Sequence, residues 1–231
     1  MSAPVVVAID GPAGSGKSSV ARRVARDLGY GYLDTGAVYR AIAWHVLAGG
    51  RGTDDAGTVL AAFAAARIEL SLDPADFWVR VGGEDVTEAI REPRVSAAVS
   101  GVARVLPLRE AVNERFRALI AASGRPGVVV EGRDITTVVA PDAPVRVLLT
   151  ADPAVRAARR GAELAASDRA GVAEALERRD ASDARVVDFL TAAPGVSVVD
   201  STDLDFEATV AAVLALVRDT PGSTEGSLGE R

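Results

Sequence analysis

One segment near the start of the chain constrains the fold more than any other feature. Residues 5–10 (VVVAID) form an apolar run rich in β-branched side chains, and the glycine-rich stretch Gly11–Ser18 follows without a gap. Such a run is typical of a strand that is buried on both faces of a parallel sheet. The stretch after it fits G-x-x-x-x-G-K-[ST], in which backbone N–H groups surround a polyphosphate at the start of a helix. The sequence therefore predicts a strand, a phosphate loop and a helix in succession.

The side chains of this loop predict how a nucleoside triphosphate is held. Lys17 would reach the β- and γ-phosphates, and Ser18 would ligate Mg²⁺. Lys17 is also the only lysine in the chain, beside 25 arginines. A compact ammonium fits a tight phosphate cradle where a planar guanidinium does not. The residues expected to bind ATP are Gly11, Pro12, Ala13, Gly14, Ser15, Gly16, Lys17, Ser18 and Ser19.

Strand and helix patterns alternate along much of the remaining chain. This alternation predicts an α/β fold, with a parallel five-stranded sheet flanked by helices as in P-loop NTPases. The later apolar runs are 31–34, 127–131, 145–150 and 196–200, and segments of helical period include 18–28, 37–47, 106–122 and 206–217.

The stretch from 64 to 104 breaks this alternation. Residues 67–72 and 77–81 alternate apolar and polar side chains on either side of a DPAD turn, and Gly82-Gly83 offers a second turn. This pattern predicts a small antiparallel β insert. The end of the chain is rich in Gly, Ser, Thr and Glu, which predicts a disordered tail. The expected division is a core of 1–63 and 105–218, an insert of 64–104 and a tail of 219–231.

Composition excludes several classes of protein. The chain has no cysteine and a single histidine, His45, so disulfides, iron–sulfur clusters, thiolate zinc sites and multi-histidine metal sites are excluded. A net charge of −6 argues against binding along a nucleic-acid backbone. No apolar stretch reaches the length of a membrane span. We expect a cytoplasmic monomer with small-molecule substrates and no nucleic-acid or membrane partner.

The motifs also limit the classes of nucleotide-binding protein to which this chain could belong. A GTPase is expected to carry Asn-Lys-x-Asp, which cannot exist here because Asn113 and Lys17 are the only residues of their types. No strand pattern ends in the Asp-Glu pair expected of a motor or transporter ATPase. A small-molecule kinase remains, and arginine suits bidentate contact with its phosphates. The candidates are Arg40, Arg109 and Arg133, with Arg156, Arg159 and Arg160 on a mobile lid over the donor phosphates.

Three segments together resemble the bacterial cytidylate kinases. They are Ile9–Ser18, Leu33–Arg40 (LDTGAVYR) and Gly132-Arg133-Asp134, the last followed by TVV at 137–139 and PDA at 141–143. The likeness runs from about residue 4 to residue 218. It implies transfer of the γ-phosphoryl group of ATP to CMP or dCMP with Mg²⁺. It also implies that the insert is an enlarged nucleoside-monophosphate-binding domain and that a helical lid covers about 156–172.

The resemblance assigns roles to individual residues. Thr35, Arg40 and Arg133 would hold the acceptor phosphate, with Tyr39 also binding substrate. Ser100, Arg109 and Asp134 would read the cytosine, and Arg179 and Asp183 would contact the pentose hydroxyls. A carboxylate beside a guanidinium does complement the amino donor and ring acceptors of cytosine. The groups expected to act on the reacting phosphates are Lys17, Arg133, Arg159 and Arg160, with Arg169 as a further lid residue.

The chain departs from the family pattern after Asp183. The next arginine of the family usually follows this aspartate at three residues and precedes a Pro-Leu pair. Here Arg185 follows at two residues and Phe189-Leu190 replaces the pair, so the role of Arg185 stays open. Two alternatives also remain. One is a P-loop kinase of another small acceptor, such as shikimate, gluconate or a different nucleoside monophosphate, and the other is a non-catalytic ATP-binding regulatory protein.

Overall fold

The computed structural model describes residues 3–163, 171–184 and 186–220. Helices and strands alternate along these residues, with one short 3-10 helix at Ala89–Arg91 and one π-helical turn at Ile135–Val139. In chain order the elements are β1 (Val5–Asp10), α1 (Lys17–Leu28), β2 (Gly31–Asp34), α2 (Thr35–Ala48), α3 (Ala56–Ala65), β3 (Ile68–Leu70), β4 (Val79–Val81), β5 (Glu84–Asp85), α4 (Pro93–Ala103), α5 (Leu106–Ala121), β6 (Gly127–Gly132), β7 (Val145–Thr150), α6 (Pro153–Glu163), α7 (Val172–Ala184), β8 (Ser197–Asp200) and α8 (Phe206–Arg218).

Five of the strands form the predicted parallel sheet. Their order is β2-β6-β1-β7-β8, and every neighbouring pair is parallel. The register places Asp10, at the end of β1, opposite Gly132 on β6 and Leu148 on β7. The loops that follow β1, β2 and β6 therefore leave the sheet at one edge. Ligands bind at this carboxyl edge in open α/β sheets.

The sheet is buried on both faces, as its β-branched strands require. Val7 and Ile9 of β1 pack in a cluster with apolar side chains of α1 and α8. Ala8, between them, packs on the opposite face with side chains of α2, α4 and α5. Because successive side chains of a strand point to opposite faces, the continuous run VVVAID fills both clusters at once.

A second sheet confirms the predicted antiparallel hairpins. Strands β3, β4 and β5 pair in that order, and Ile68 lies opposite Val81. The strands are shorter than the sequence predicts, and the last part of the predicted insert is the helix α4. The β interpretation missed this helix, although its buried side chains follow a spacing of four and three residues. They are Val95, Val99 and Val102.

The four helices that the periodicity predicted at 18–28, 37–47, 106–122 and 206–217 are present, with ends within two residues of those expected. Among the described residues, no helix has the length and apolarity needed to cross a membrane. The predicted tail lies outside the described residues from 221 onward, and the predicted lid does so at 164–170.

Candidate active site

One cavity lies at the carboxyl edge of the parallel sheet. The loop after β1, the start of α2 and the residues after β6 meet there, and side chains from α4 to α7 close its remaining sides. Its volume is about 300 Å³. The predicted site residues that line it are Ala13, Gly14, Gly16, Lys17, Ser18, Ser19, Thr35, Tyr39, Arg40, Ser100, Arg109, Arg133, Asp134, Arg160 and Asp183.

The phosphate loop has the backbone that its glycines allow. Gly14 has a φ of +76°, and a Cβ there would lie 2.7 Å from the carbonyl oxygen of Arg156. Gly16, with a φ of +85°, leads directly into α1. Lys17 folds back over the loop, where its Nζ donates a hydrogen bond to the carbonyl of Pro12 at 3.1 Å. Gly11, Pro12 and Ser15 belong to the loop but do not line the cavity.

The three arginines of α6 take three different positions. Arg160 lines the cavity. Arg159 points to the loop after β8, where it donates to the carbonyl of Ser201 at 2.7 Å and to its hydroxyl at 2.9 Å. Arg156 is buried and donates to the carbonyl of Ala13 at 2.9 Å. The structure thus brings Arg160 to the cavity, whereas Arg156 and Arg159 attach α6 to the phosphate loop and to the end of the sheet.

Arg133 is surrounded by oxygen atoms and one aromatic ring. Its guanidinium donates to the carbonyl of Gly11 and lies 3.2 Å from a carboxylate oxygen of both Asp180 and Asp183. The ring of Phe189 lies beneath it, with 4.3 Å between the ring centroid and Cζ. Arg133 therefore connects the phosphate loop with α7.

Asp180 connects several parts of the site and was not predicted from the sequence. Its carboxylate accepts the backbone N–H of Ala13 at 3.2 Å and pairs with Arg156 at 2.5 Å, besides Arg133. The side chain is buried. A buried carboxylate is stable only when it is paired and hydrogen-bonded, and this one has two guanidinium partners and an amide. Asp180 fixes the position of both arginines relative to the phosphate loop.

A buried ion pair also lines the cavity. Arg109 of α5 pairs with Asp134, and the resemblance assigns both residues to the cytosine base. Burial raises the pKa of Asp134, and the Arg109 guanidinium opposes this shift. Nearby, the hydroxyl of Tyr39 is buried and has no hydrogen-bond partner among the described residues. The hydroxyl of Ser100 donates to Asp183 at 3.2 Å.

The start of α2 holds the remaining predicted acceptor ligands. Asp34 caps this helix by accepting the N–H of Ala37 at 2.8 Å, and its second oxygen pairs with Arg40 at 2.7 Å. The hydroxyl of Thr35 donates to the carbonyl of Glu131 at 2.7 Å. One short segment, DTGAVYR, therefore caps its own helix and directs an arginine into the cavity.

The sequence also matches proteins of known family. The sequence model of the family described as cytidylate kinase matches residues 7–219. The chain belongs to the cytidylate kinase family. It is 49% identical to the cytidylate kinase of Cutibacterium acnes over 216 residues, which are 93% of this chain and 96% of that one. It is 46% identical to the cytidylate kinase of Mycobacterium avium over 224 residues, 95% of this chain and 96% of the relative.

Two further buried carboxylates of this cytidylate kinase family member were not predicted from the sequence. Glu131 ends β6 and accepts a hydrogen bond from the hydroxyl of Tyr32 at 2.9 Å. Burial and the charge of Asp34 raise the pKa of Glu131, whereas Lys17 and a hydrogen bond from Ser18 oppose the shift. The position of Glu131 in the sequence could have indicated its role. It lies at the end of the strand beside β1, where P-loop NTPases carry a carboxylate that helps to hold Mg²⁺.

Asp10 is the second missed carboxylate, and its role is structural. It accepts the N–H groups of Ile135 and Thr136 at 2.9 and 2.8 Å, and the hydroxyl of Thr136 at 2.7 Å. Burial raises the pKa of Asp10, and these hydrogen bonds oppose the shift. Asp10 thereby fixes the π-helical turn that follows Arg133 and Asp134.

Two predicted residues, Arg169 and the side chain of Arg179, lie outside the described part of the site. Arg185, whose role the sequence left open, lies outside it as well.

Proposed function

We propose that this protein transfers the γ-phosphoryl group of ATP to CMP or dCMP, giving ADP and CDP or dCDP. One observation carries the proposal. The phosphate loop and the Arg109–Asp134 pair line the same cavity, and Arg40 and Arg133 line it as well. A triphosphate-binding loop and a base-reading pair within one cavity suit a nucleotide donor and a nucleotide acceptor. Membership of the cytidylate kinase family supports the choice of cytosine.

The donor side uses the phosphate loop. Its backbone N–H groups and Lys17 bind the phosphates, and Arg160 supplies a further positive charge from α6. Residues 156–172 act as the lid over this side.

Mg²⁺ fits the side chains beside Lys17. Among the described residues, no cluster of three His, Cys, Asp or Glu could hold a metal by itself. Mg²⁺ is instead bound by one or two carboxylates together with substrate phosphates and water. Ser18 and Glu131, which both line the cavity, would hold it. The bound ion neutralises phosphate charge.

The acceptor side uses the part of the cavity that residues of the 64–104 insert help to enclose. Thr35, Arg40 and Arg133 bind the phosphate of CMP. Asp134 accepts a hydrogen bond from the amino group of cytosine, Arg109 donates to its ring acceptors and Ser100 completes the contact. Asp183, with Arg179, binds the pentose hydroxyls. Uracil presents a carbonyl where cytosine has its amino group, so it would face Asp134 with an acceptor.

Transfer itself requires positioning and charge neutralisation. An oxygen of the CMP phosphate attacks the γ-phosphorus, and the bond from that phosphorus to the bridging oxygen of ADP breaks. The attacking oxygen is already anionic, so no side chain has to remove a proton. Lys17, Arg133 and Arg160 stabilise the charge that spreads over the transferred group.

The proposal is tested by measuring ADP release from ATP with six candidate acceptors, CMP, dCMP, UMP, AMP, shikimate and gluconate, with and without Mg²⁺. We expect turnover with CMP and dCMP, dependence on Mg²⁺, and a nucleoside diphosphate as product. Faster turnover with shikimate or gluconate would favour the other kinase alternative. ATP binding without transfer to any acceptor would favour a regulatory protein. Action as a cytoplasmic monomer is part of the proposal and is checked by light scattering and by fractionation of the cells.

A further inference from the structure

Phe189 lies under a guanidinium of the acceptor site. Its ring centroid is 4.3 Å from Cζ of Arg133, and the residue is 1% exposed. It lies outside the three hydrophobic clusters that the described residues form, so those clusters do not explain its burial. It also belongs to the segment in which this sequence departs from the family pattern, Phe189-Leu190 in place of Pro-Leu.

The surroundings of Arg133 divide into an edge and a face. Around the edge of the guanidinium, its N–H groups meet the carbonyl of Gly11 and the carboxylates of Asp180 and Asp183. These oxygens lie around the N–H edge, and the Phe189 ring centroid is 4.3 Å from Cζ, a distance that fits a ring against the face of the guanidinium. A cation over an aromatic ring is attracted by the ring's electron density, and the contact takes up none of the five N–H groups that arginine offers. The ring can therefore fix the orientation of the guanidinium plane without using any N–H group that could bind an oxygen atom.

The strength of this contact depends on its burial. The side chain of Arg133 is 17% exposed and the phenyl ring is almost entirely covered. Attraction between a cation and a ring is strongest when both are removed from water. Without the ring, the guanidinium would keep its carboxylate partners at the edge but could tilt about them. Bidentate phosphate binding is sensitive to such a tilt because two parallel N–H groups must face two oxygens.

We propose that Phe189 is a positioning residue for the acceptor phosphate, and that its ring holds the Arg133 guanidinium in the plane in which it binds that phosphate. The inference rests on the proposed role of Arg133 in binding CMP. Its consequence is selective. Loss of the ring should weaken binding of an acceptor that carries a phosphate, and should spare both ATP and a nucleoside without a phosphate.

The test compares Phe189→Leu with Phe63→Leu. Both replacements stay apolar and neither residue lines the cavity, but Phe189 lies against Arg133, whereas Phe63 packs against the cluster of α2 and α5. The measurements are KM for CMP and ATP, Kd for cytidine by calorimetry, and Tm. For Phe189→Leu we expect KM for CMP to rise about 2- to 30-fold, with KM for ATP and Kd for cytidine nearly unchanged. Phe63→Leu should leave all three unchanged. Phe189→Met repeats the comparison if Phe189→Leu does not fold.

A second set of variants tests whether Phe189 acts through Arg133. Lysine has no guanidinium plane for the ring to hold, so in an Arg133→Lys background the change Phe189→Leu should add little to KM for CMP. An unchanged KM for CMP in Phe189→Leu would overturn the inference. The inference would also be overturned if Phe189→Leu raised Kd for cytidine as much as KM for CMP. The same holds if Phe189→Leu raised KM for CMP by the same factor in the Arg133→Lys background as in the wild type. A wild-type protein that transfers nothing to CMP would contradict the proposed function instead, and Kd for CMP against cytidine would then decide the role of Phe189.

Discussion

Removal of the Arg109 guanidinium should destabilise the fold. The side chains of Arg109 and Asp134 are only 13% and 8% exposed, and Arg109→Met would leave the Asp134 carboxylate buried without its cation. Breaking such a pair on one side costs about 3–5 kcal/mol. Because the pair lines an open cavity, we take about 3 kcal/mol, which in a domain of this size lowers Tm by roughly 6–12 °C.

The loss of stability in Arg109→Met should be smaller at acidic pH. Burial raises the pKa of Asp134 while Arg109 opposes the shift, so removing Arg109 raises that pKa further. A carboxyl whose pKa is higher in the folded than in the unfolded state stays protonated to a higher pH when the protein is folded. It therefore lowers stability as the pH rises from the unfolded pKa to the folded one. At about pH 8 the full cost is present, and at about pH 5 partial protonation of Asp134 relieves some of it.

Thermal unfolding followed by circular dichroism, at both pH values and relative to wild type, measures the effect. Arg104→Met is the matched control, because its partner Asp54 is 97% exposed and exposed pairs contribute little to stability. We expect a larger loss of Tm in Arg109→Met at the higher pH, and little change in the control at either pH. An equal loss at the two pH values would refute the reasoning from the buried charge.

Three further outcomes follow from the site. Lys17→Arg should lower turnover with CMP about 10²- to 10³-fold at a nearly unchanged Tm, and near-normal turnover would show that Lys17 does not bind the transferred phosphate. Asp183→Ala should raise KM for CMP and leave KM for ATP nearly unchanged, whereas parallel rises would indicate a structural role. Glu131→Gln should raise the Mg²⁺ concentration needed for half-maximal turnover, and an unchanged requirement would exclude Glu131 as a support of the ion.

The parts of the fold that the sequence predicted are those that local patterns determine. The run VVVAID fills both faces of the sheet, and the phosphate loop and the DTGAVYR segment carry their own helix starts in the form of Gly16 and Asp34. The helix α4 was missed because its apolar spacing competes with the turn and strand signals before it. Its start at Pro93, a favoured first helical position, was the available sign.

The parts of the site that the sequence did not reveal depend on contacts between distant segments. Asp180 meets Ala13 across 167 positions, and nothing near either residue indicates the contact. Arg159 was expected at the donor phosphates, and its guanidinium contacts both the carbonyl of Ser15 in the phosphate loop and Ser201, 42 positions away. Glu131 was not predicted because the expected signal was an Asp-Glu pair, whereas here a single carboxylate near the end of β6 lines the cavity together with Ser18. Residue type identified the candidates, and the folded chain determined which of them reach the cavity.

The most direct test of the account compares kcat/KM for CMP and UMP in the wild type and in Asp134→Ala. A bidentate base contact contributes about 1–3 kcal/mol of discrimination, or roughly 5- to 150-fold. We expect the wild type to prefer CMP within this range, and Asp134→Ala to lose most of the preference mainly through a fall for CMP. Equal values for CMP and UMP in the wild type, or an undiminished preference in Asp134→Ala, would contradict the assignment of this cavity as a cytosine-reading site.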